Sequence, residues 1–290
     1  MNIWCDILEK NMKILCVLLF LFISVMVFAE TKTVFYEDVV YKKTEQIDLM
    51  MDIKFVNDGQ AKPCILLIHG GGWTGGTKES MENFGLPFFN DVYKQGFVVV
   101  SIQYRFLQES PFPACIEDCK TAVQFLRKNA KKYEIDKDNF IACGHSAGGH
   151  LVSLLGVYPD SVCKDENLKK YSSKVQGVIS FNGPISFDTY NSDAETAYSK
   201  NIQGWLGLDT PEKLKLANPI EHIDKDSAKF IVMHSKADGI VYYTPSDGFV
   251  KKLKDNNVYC DYFLDETGDH IWDYAQHAEK IMAFLNSFKK

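Results

Sequence analysis

The sequence lacks the features by which several classes of protein are recognised. It has no block of basic residues, and its formal net charge is -6 over 290 residues. An acidic chain is repelled by a phosphate backbone, so this charge argues against a nucleic-acid binder. Internal repeats and low-complexity segments do not stand out either. The hydrophobic content of 46% is enough for one large core or at most two domains.

Metal-ligand spacings and paired cysteines are missing as well. No Cys-x-x-Cys pair and no zinc pattern occurs, so the sequence predicts no metal site. Of the eight cysteines, two precede Ala29 and six follow it. An even number in an oxidising compartment allows disulfides. Cys115 and Cys119 lie four residues apart on a predicted helix, a geometry that seldom suits a bridge. No particular disulfide is therefore predicted.

The apolar segment of residues 14–28 is too short for a comfortable membrane span, because such a helix needs roughly 20 apolar residues. It ends at Ala29, a small residue of the kind that signal peptidases recognise. We therefore predict a signal peptide over residues 1–29, cleaved after Ala29, and a secreted or periplasmic protein without stable membrane association. Met12 is the alternative start of the chain, and an uncleaved anchor is the alternative fate of the segment.

Residues 30–290 alternate strand and helix patterns, as one α/β domain does. Continuous apolar runs such as Pro63–Ile68 are typical of buried parallel strands. The predicted strands are Val34–Tyr41, Gln46–Phe55, Pro63–Ile68, Phe97–Ile102, Asn139–Cys143, Val175–Phe181, Lys229–His234 and Tyr259–Leu264. The predicted helices are Glu79–Gln95, Ala114–Lys132, one after Ser146, Pro245–Lys254 and Ile271–Phe288. This order predicts an eight-stranded sheet, antiparallel at its start and parallel thereafter, with helices on both faces. The irregular residues 183–218 are predicted to form a small lid or insertion near the site.

One five-residue motif places a serine between two glycines. Gly144-His145-Ser146-Ala147-Gly148 follows an apolar strand and precedes an apolar run that suits a helix. A serine on so sharp a connection has strained backbone angles and stands exposed above the sheet edge. The glycines let strand and helix pass close to it, and amides at the helix start favour negative charge. We interpret Ser146 as a nucleophile, and a turn without chemistry is the alternative.

Two further polar residues follow predicted strands and share one edge of the sheet with Ser146. Sites in such sheets lie beyond the carboxyl ends of the strands. A serine needs a base within hydrogen-bond reach and an acid that orients the base. We predict His270 as the base and Asp238 as the acid, which gives the chain order Ser, Asp, His. Asp265 and Asp269 are the alternatives for the acid.

The glycine-rich run His69-Gly70-Gly71-Gly72-Trp73 follows the third predicted strand. Acyl transfer needs donors aimed at the oxyanion that develops, and glycines let the main chain approach a substrate closely. The predicted oxyanion donors are the backbone amides of Gly71, Gly72 and Ala147. Trp73 and His145 are the predicted substrate-binding residues, with packing as the alternative role for each. His69 is expected to hold the loop by hydrogen bonds.

The glycine-rich run and the motif around Ser146, with Asp238 and His270 in order, resemble the α/β-hydrolase superfamily. Within it they are similar to hormone-sensitive-lipase-like carboxylesterases, and closer still to secreted acetylxylan and feruloyl esterases of bacterial polysaccharide degraders. The resemblance covers roughly residues 34–288. It implies an α/β-hydrolase fold and a serine carboxylesterase that removes acetyl or aromatic acyl groups through an acyl-enzyme. Small esters or plant polysaccharide would be the substrates, with water as the second substrate and no cofactor; the oligomeric state is not indicated.

Three other functions stay open. An arylformamidase carries a similar glycine-rich loop and elbow, but its chemistry is usually intracellular, which a signal peptide argues against. A serine peptidase of the prolyl-oligopeptidase type normally has a β-propeller domain, for which these 290 residues leave no room. A non-catalytic binding module on the same fold usually loses a triad residue, whereas all three are present here.

Overall fold

The computed structural model describes residues 32–81, 89, 91–160, 167–187 and 192–290. The predicted signal peptide, residues 1–29, lies outside these ranges. Eight strands form one sheet in the order β1-β2-β4-β3-β5-β6-β7-β8. The strands are β1 Lys32–Lys43, β2 Asp48–Asn57, β3 Lys62–Ile68, β4 Val98–Ile102, β5 Ile135–His145, β6 Gly177–Phe181, β7 Lys229–Ser235 and β8 Cys260–Asp265.

Six α-helices accompany these strands in the described part of the chain. They are α1 Ala114–Lys128, α2 Ala147–Val157, α3 Asp193–Leu206, α4 Pro211–Ala217, α5 Thr244–Asp255 and α6 Ala278–Asn286. Single 3-10 turns occur at Lys78–Met81, Val92–Gln95, Pro219–His222 and Tyr274–His277. Within the described ranges, no helix combines the length and apolarity that crossing a membrane requires.

The pairing of the strands matches the predicted sheet. β2 runs antiparallel to β4, with Met51 opposite Ile102. From β3 onward the neighbours β3–β4, β3–β5, β5–β6, β6–β7 and β7–β8 are all parallel. The carboxyl ends of the parallel strands therefore meet at one edge, which is where a site is expected in an open α/β sheet.

The sheet buries apolar side chains on both of its faces. Along β3, Leu66 and Ile68 join a core cluster that includes α1, α2 and α5, whereas Ile65 and Leu67 join a second cluster that includes α6. Successive side chains of a strand point to opposite faces, so a strand covered on both sides must be apolar throughout. Each such fully buried side chain contributes roughly 1.5–3 kcal/mol to folding. The predicted helices on both faces are confirmed.

Two predicted helices are wrong in extent. In the described part of Glu79–Gln95 the chain forms only the 3-10 turns Lys78–Met81 and Val92–Gln95. The buried Lys78 ammonium forms an ion pair with Asp52 of β2 at 2.7 Å, and this contact holds the first turn against the sheet. The predicted closing helix Ile271–Phe288 is an α-helix only over Ala278–Asn286. The residues before it continue the loop that contains His270 and then form the 3-10 turn Tyr274–His277.

The segment predicted as irregular, residues 183–218, contains two helices. The Ser192 hydroxyl accepts a hydrogen bond from the Glu195 amide and starts α3. The Thr210 hydroxyl accepts from the Lys213 amide and starts α4. Such caps satisfy amides that have no partner within the helix. Gly207, at φ +67°, ends α3 in the left-handed conformation that glycine adopts readily.

Candidate active site

The serine of the five-residue motif lies at a strained turn between β5 and α2. Ser146 has φ 55° and ψ -121°, a conformation that few non-glycine residues adopt. Its amide donates to the Phe181 carbonyl at 2.9 Å, and its carbonyl accepts from the His150 amide at 3.0 Å. Within residues 140–158, Ser146 alone is not buried. Strain of this kind persists only where the surrounding structure enforces it, and it is typical of functional sites.

The two glycines of the motif allow that turn. A Cβ on Gly148 would lie 2.1 Å from the Ile68 carbonyl oxygen, and a Cβ on Gly144 would lie 2.5 Å from the Gly148 oxygen. Strand β3, strand β5 and helix α2 therefore meet backbone to backbone below Ser146. No residue with a side chain fits at either position without moving the main chain.

His270 and Asp238 lie together at the same edge of the sheet. The imidazole Nδ1 lies 2.9 Å from Asp238 Oδ2 and 3.1 Å from Oδ1. A carboxylate can only accept, so Nδ1 carries the hydrogen and Nε2 is left as the basic nitrogen. Both residues are buried. This is the arrangement that orients a histidine for removing a proton from a hydroxyl.

The Asp238 carboxylate is stabilised in its ionised form. Burial alone would raise the pKa of this carboxyl, but hydrogen bonds from His234, His270 and Asn182 and from the Val241 amide hold the pKa well below its usual range. The amides of Ile240 and Val241 each donate to Oδ1 at 2.8 Å. The acid is therefore an anion throughout the neutral pH range, and it can compensate a positive charge that develops on His270.

Ser146 and His270 line one pocket of about 440 Å³. Gly71 and Gly72 of the glycine-rich loop line it as well, together with Ile240 and Ile271 from the loops that follow β7 and β8. Ile240 and Ile271 are more than half exposed, which gives the mouth of the pocket an apolar rim. The three predicted catalytic side chains and the predicted oxyanion loop thus converge at this edge of the sheet.

The predicted oxyanion donors occupy suitable backbone. Gly71 and Gly72 have φ of +109° and +60°, and a Cβ on Gly71 would lie 2.2 Å from the Gly75 carbonyl oxygen. The Gly71 carbonyl accepts from the amides of Thr74 and Gly75, each at 3.1 Å, which fixes the loop. Ala147 is the first residue of α2, where amides have no partner within the helix.

Trp73 does not lie where we predicted it. Its side chain is buried in the core and packs edge-on against His150, with 5.4 Å between the ring centroids. The predicted substrate-binding role of Trp73 is therefore wrong for this pocket, and the alternative role of anchoring the loop fits.

His145 lines the pocket but also has a second contact. Its Nε2 donates to the His270 carbonyl at 2.9 Å, and the two rings lie 4.6 Å apart. Burial lowers the pKa of His145 to about 3, so the ring is neutral at physiological pH. His145 therefore supports the backbone of His270 in addition to forming part of the pocket wall.

Three residues that our sequence reasoning missed surround the acid and the base. Asn182, which directly follows β6, donates from Nδ2 to Asp238 Oδ2 at 2.7 Å. The His234 Nε2 lies 3.4 Å from the same oxygen. The Ser235 hydroxyl donates to the Gly268 carbonyl and joins the loop of the acid to the loop of the base. The available signal was that each is a polar residue at the carboxyl end of a buried strand.

The remaining histidines of the site region have structural contacts. His69 Nδ1 bonds to the Gly70 carbonyl at 2.7 Å and its ring stacks on Tyr104, as expected for a residue that holds the glycine-rich loop. His150 is fully buried and donates from Nε2 to the Ala217 carbonyl at 2.7 Å. Over the described ranges, no three His, Cys, Asp or Glu side chains are grouped as metal ligands.

Comparison with known proteins agrees with this architecture. The chain is 28% identical over 197 residues to the "Probable carboxylic ester hydrolase LipM" of Mycobacterium tuberculosis, a match that covers 66% of this chain and 45% of the relative. The chain thus spans about half the length of the curated relatives that it matches.

Solved structures resemble the chain over most of its length. Esterase Est2 of Thermogutta terrifontis, bound to butyrate, has a TM-score of 0.73 at 24% identity and covers 87% of this chain and 93% of its own. A truncated carbohydrate esterase from gut microbiota has a TM-score of 0.72 at 24% identity and covers 89% and 98%. The BD-FAE family model matches residues 51–253. The chain has the α/β-hydrolase fold and belongs to the BD-FAE family.

Proposed function

We propose that this protein is a secreted serine carboxylesterase that hydrolyses acetyl or aromatic acyl esters, with esterified plant polysaccharide among its substrates. One observation carries the proposal. Ser146 lies at a strained turn and lines the same pocket as His270. The Nδ1 atom of His270 is hydrogen-bonded to the buried carboxylate of Asp238. Acyl transfer by a serine requires a nucleophile, a base and a third group that orients the base, and these three residues supply them.

The geometry supports a two-step reaction. His270 Nε2 removes the proton of the Ser146 hydroxyl as its oxygen attacks the ester carbonyl. The amides of Gly71, Gly72 and Ala147 would stabilise the oxyanion, and loss of one such donor typically costs about 2.7–4 kcal/mol of transition-state stabilisation. His270 then protonates the departing alcohol, and an acyl-enzyme remains on Ser146. Water, deprotonated by His270, releases the carboxylic acid and restores the serine.

The relatives make an ester the best-supported substrate. Carboxylic ester hydrolase, esterase and carbohydrate esterase are the activities in the names of the similar proteins. The apolar rim formed by Ile240 and Ile271 suits an uncharged acyl group. A charged substrate would lose hydration at this rim without gaining a partner there.

Replacement of the nucleophile tests the proposal. Ser146→Ala should reduce turnover of p-nitrophenyl acetate by a factor on the order of 10⁶, the loss seen when a nucleophilic serine is removed. Ser153→Ala is a matched control, because Ser153 lies on the following helix and its hydroxyl only bonds to the Gly149 carbonyl. Equal rates for wild type and Ser146→Ala would refute the serine mechanism.

A substrate panel separates the proposed esterase from an arylformamidase. Specificity constants should be compared for acetylated xylan, methyl ferulate and N-formylkynurenine. We expect the formyl amide to be the poorest of the three, because its leaving group is an amine and not an alcohol. A clear preference for N-formylkynurenine would assign the arylformamidase activity instead.

Secretion is the part of the proposal that depends only on residues 1–29. Their apolar core and the small residue Ala29 suit a signal peptide. Expression of the full chain in a bacterial host should yield a mature protein that begins at Glu30, as determined by N-terminal sequencing. Recovery of the uncut chain in the membrane fraction would instead identify the segment as an anchor.

A further inference from the structure

A second pocket of about 420 Å³ adjoins the reactive pocket. It is lined by Gly72, Thr74, Leu107, Gln108 and Trp205. Gly72 also lines the pocket of Ser146 and His270, so the two spaces meet at a proposed oxyanion donor. A Cβ on Gly72 would meet nothing nearer than the Thr74 hydroxyl at 3.9 Å. Gly72 therefore has no side chain, and no close neighbour at its Cβ position, that would separate the two pockets.

Trp205 presents an unusual surface to this second pocket. Its side chain is 64% exposed, although Ile202 and Leu206 on the same helix α3 are buried. The indole is thus held on an anchored helix while its surface stays in solvent. Tryptophan is highly buried on average, so an indole that is exposed beside a cavity is available to stack against a ligand.

The other lining residues are held in place by hydrogen bonds. The Leu107 amide donates to the Trp73 carbonyl at 2.9 Å, and Gln108 Nε2 donates to the Thr74 carbonyl at 3.1 Å. The side chains of Thr74 and Gln108 are exposed to solvent. A ligand in this pocket would therefore have both a flat apolar ring and hydrogen-bonding groups within its lining.

We propose that this second pocket is a subsite for a sugar ring of an esterified carbohydrate, stacked on Trp205. A pyranose ring has C–H groups on its faces and hydroxyl groups around its edge, which matches a lining of one exposed indole and two polar side chains. An aromatic acyl group would offer the Thr74 and Gln108 side chains no further hydrogen bond. The inference rests on the proposed esterase function, because the ester carbonyl must lie at Gly72 for the sugar to reach Trp205.

Substitution of Trp205 tests the subsite. The kcat/KM of Trp205→Ala should fall about tenfold for an acetylated xylo-oligosaccharide, mainly through KM, which is the scale of losing one stacked ring. Its kcat/KM for p-nitrophenyl acetate, which has no sugar, should stay within about twofold. Trp205→Phe should recover part of the loss. Phe35→Ala removes a similarly exposed aromatic from β1 and should change neither substrate.

The outcomes separate the subsite from the esterase proposal. An unchanged ratio between the two substrates, or a loss confined to methyl ferulate, would overturn the sugar subsite. Wild-type hydrolysis of p-nitrophenyl acetate without hydrolysis of the acetylated oligosaccharide would also overturn it, while the esterase would stand. Failure of wild type on every ester would overturn the proposed function itself.

A separate observation concerns Asn182, whose side chain contacts both the acid and the loop of the base. Asn182 Nδ2 donates to Asp238 Oδ2 at 2.7 Å. Asn182 Oδ1 accepts from Trp272 Nε1 at 3.1 Å and from the Tyr274 hydroxyl at 2.8 Å. Trp272 and Tyr274 follow His270 by two and four residues. Asn182 itself is fully buried at φ +48°.

We infer that Asn182 is a positioning residue, which sets the acid and the base relative to each other. An amide side chain offers a donor to the carboxylate from its nitrogen and, from its oxygen about 2.2 Å away, an acceptor to two further donors. The left-handed backbone of Asn182 is also one that Asn and Asp tolerate better than most residues. Its effect on the reaction acts through Asp238 and through the segment that carries His270.

Asn182→Asp tests this inference with little change in shape. The new oxygen would face the Asp238 carboxylate, and two carboxylates so close must share a proton. We expect kcat to fall at least tenfold at pH 8, with KM nearly unchanged and with partial recovery as the pH is lowered toward 5. Tyr274→Phe, which removes one donor to Asn182 and no charge, should lower kcat severalfold without a new pH dependence. A wild-type pH profile for Asn182→Asp, or wild-type kcat for Tyr274→Phe, would overturn the positioning role.

Discussion

The two halves of the proposed catalytic site are held in place by different means. The nucleophile side depends on backbone packing: Gly144 and Gly148 let β3, β5 and α2 touch below Ser146. The acid–base side depends on side-chain hydrogen bonds that reach Asp238 and His270 from other strands and loops. Backbone packing tolerates no added atom, whereas a hydrogen-bonded loop can lose one contact and remain folded. The two sides should therefore respond to mutation differently.

The largest expected effect is on the nucleophile side. Gly148→Ala places a Cβ 2.1 Å from the Ile68 carbonyl oxygen, and the backbone must shift to accept it. We expect a loss of about 3 kcal/mol or more in the free energy of unfolding, measured by urea denaturation. Gly204→Ala is the matched control, because nothing lies within 4 Å of that Cβ on α3. This control should be neutral or stabilising, since alanine favours a helix. Equal stability of the two variants would contradict the packing argument.

A smaller effect is expected on the acid–base side. His145→Phe keeps an aromatic ring but removes the hydrogen bond to the His270 carbonyl. An unsatisfied buried acceptor costs about 1–3 kcal/mol, and we expect kcat to fall about tenfold while the protein stays folded. His222→Phe removes a comparable bond, from Nε2 to the Lys215 carbonyl, and should leave kcat unchanged. Loss of folding in His145→Phe would show that this side is as intolerant as the elbow.

Acidification should destabilise the folded protein first through buried histidines and only at lower pH through the acid. Burial lowers the pKa of His150, on the elbow helix, from 6.5 to about 4. The unfolded chain therefore binds a proton that the folded one does not, and stability is lost as the pH falls from 6.5 toward 4. The contribution of Asp238, whose pKa is held below its usual range, is lost only at lower pH. His150→Gln should reduce the slope of the unfolding free energy against pH by about 1.4 kcal/mol per unit between pH 6 and 4.5. An unchanged slope would contradict this assignment.

The smallest effect is expected for an exposed link between the two loops of the acid–base side. Lys236 and Glu266 form an ion pair of 2.7 Å, and both are exposed. Exposed pairs are screened by solvent and contribute little. Lys236→Ala should change neither kcat nor Tm measurably, in contrast to the buried bonds between the same loops. A clear fall in either would show that the buried bonds alone do not hold this side.

The fold was largely predictable because its strands are covered on both faces. A run such as Pro63–Ile68 must be apolar at every position, and a short apolar run between turn residues indicates a buried strand. In the described residues of the helix predicted at Glu79–Gln95, the chain forms 3-10 turns and no α-helix. Lys78, which starts the first of these turns, forms a buried ion pair with Asp52 on β2, a contact that no local pattern indicates.

The site was predictable to the extent that its chemistry is local. The Gly-x-Ser-x-Gly motif could be recognised because the strand, the motif and the helix are contiguous in the chain, although the β3 backbone that its glycines approach is distant in sequence. Trp73 was assigned wrongly because an aromatic residue beside a glycine loop can face a pocket or the core. Asn182 follows a buried strand, but the sequence could not assign it a role, because its partners Asp238 and Trp272 are 56 and 90 residues away in the chain.

By itself, the sequence determined which segments form strands, the elbow around Ser146 and the residues able to act as acid and base. These follow from periodicity, from a contiguous motif and from polar residues placed directly after strands. Only the tertiary structure decided which side chains hold Asp238 and His270, and that a second pocket opens beside Gly72 toward Trp205. Such contacts join residues far apart in the chain, and their geometry exists only once the sheet has brought the loops together.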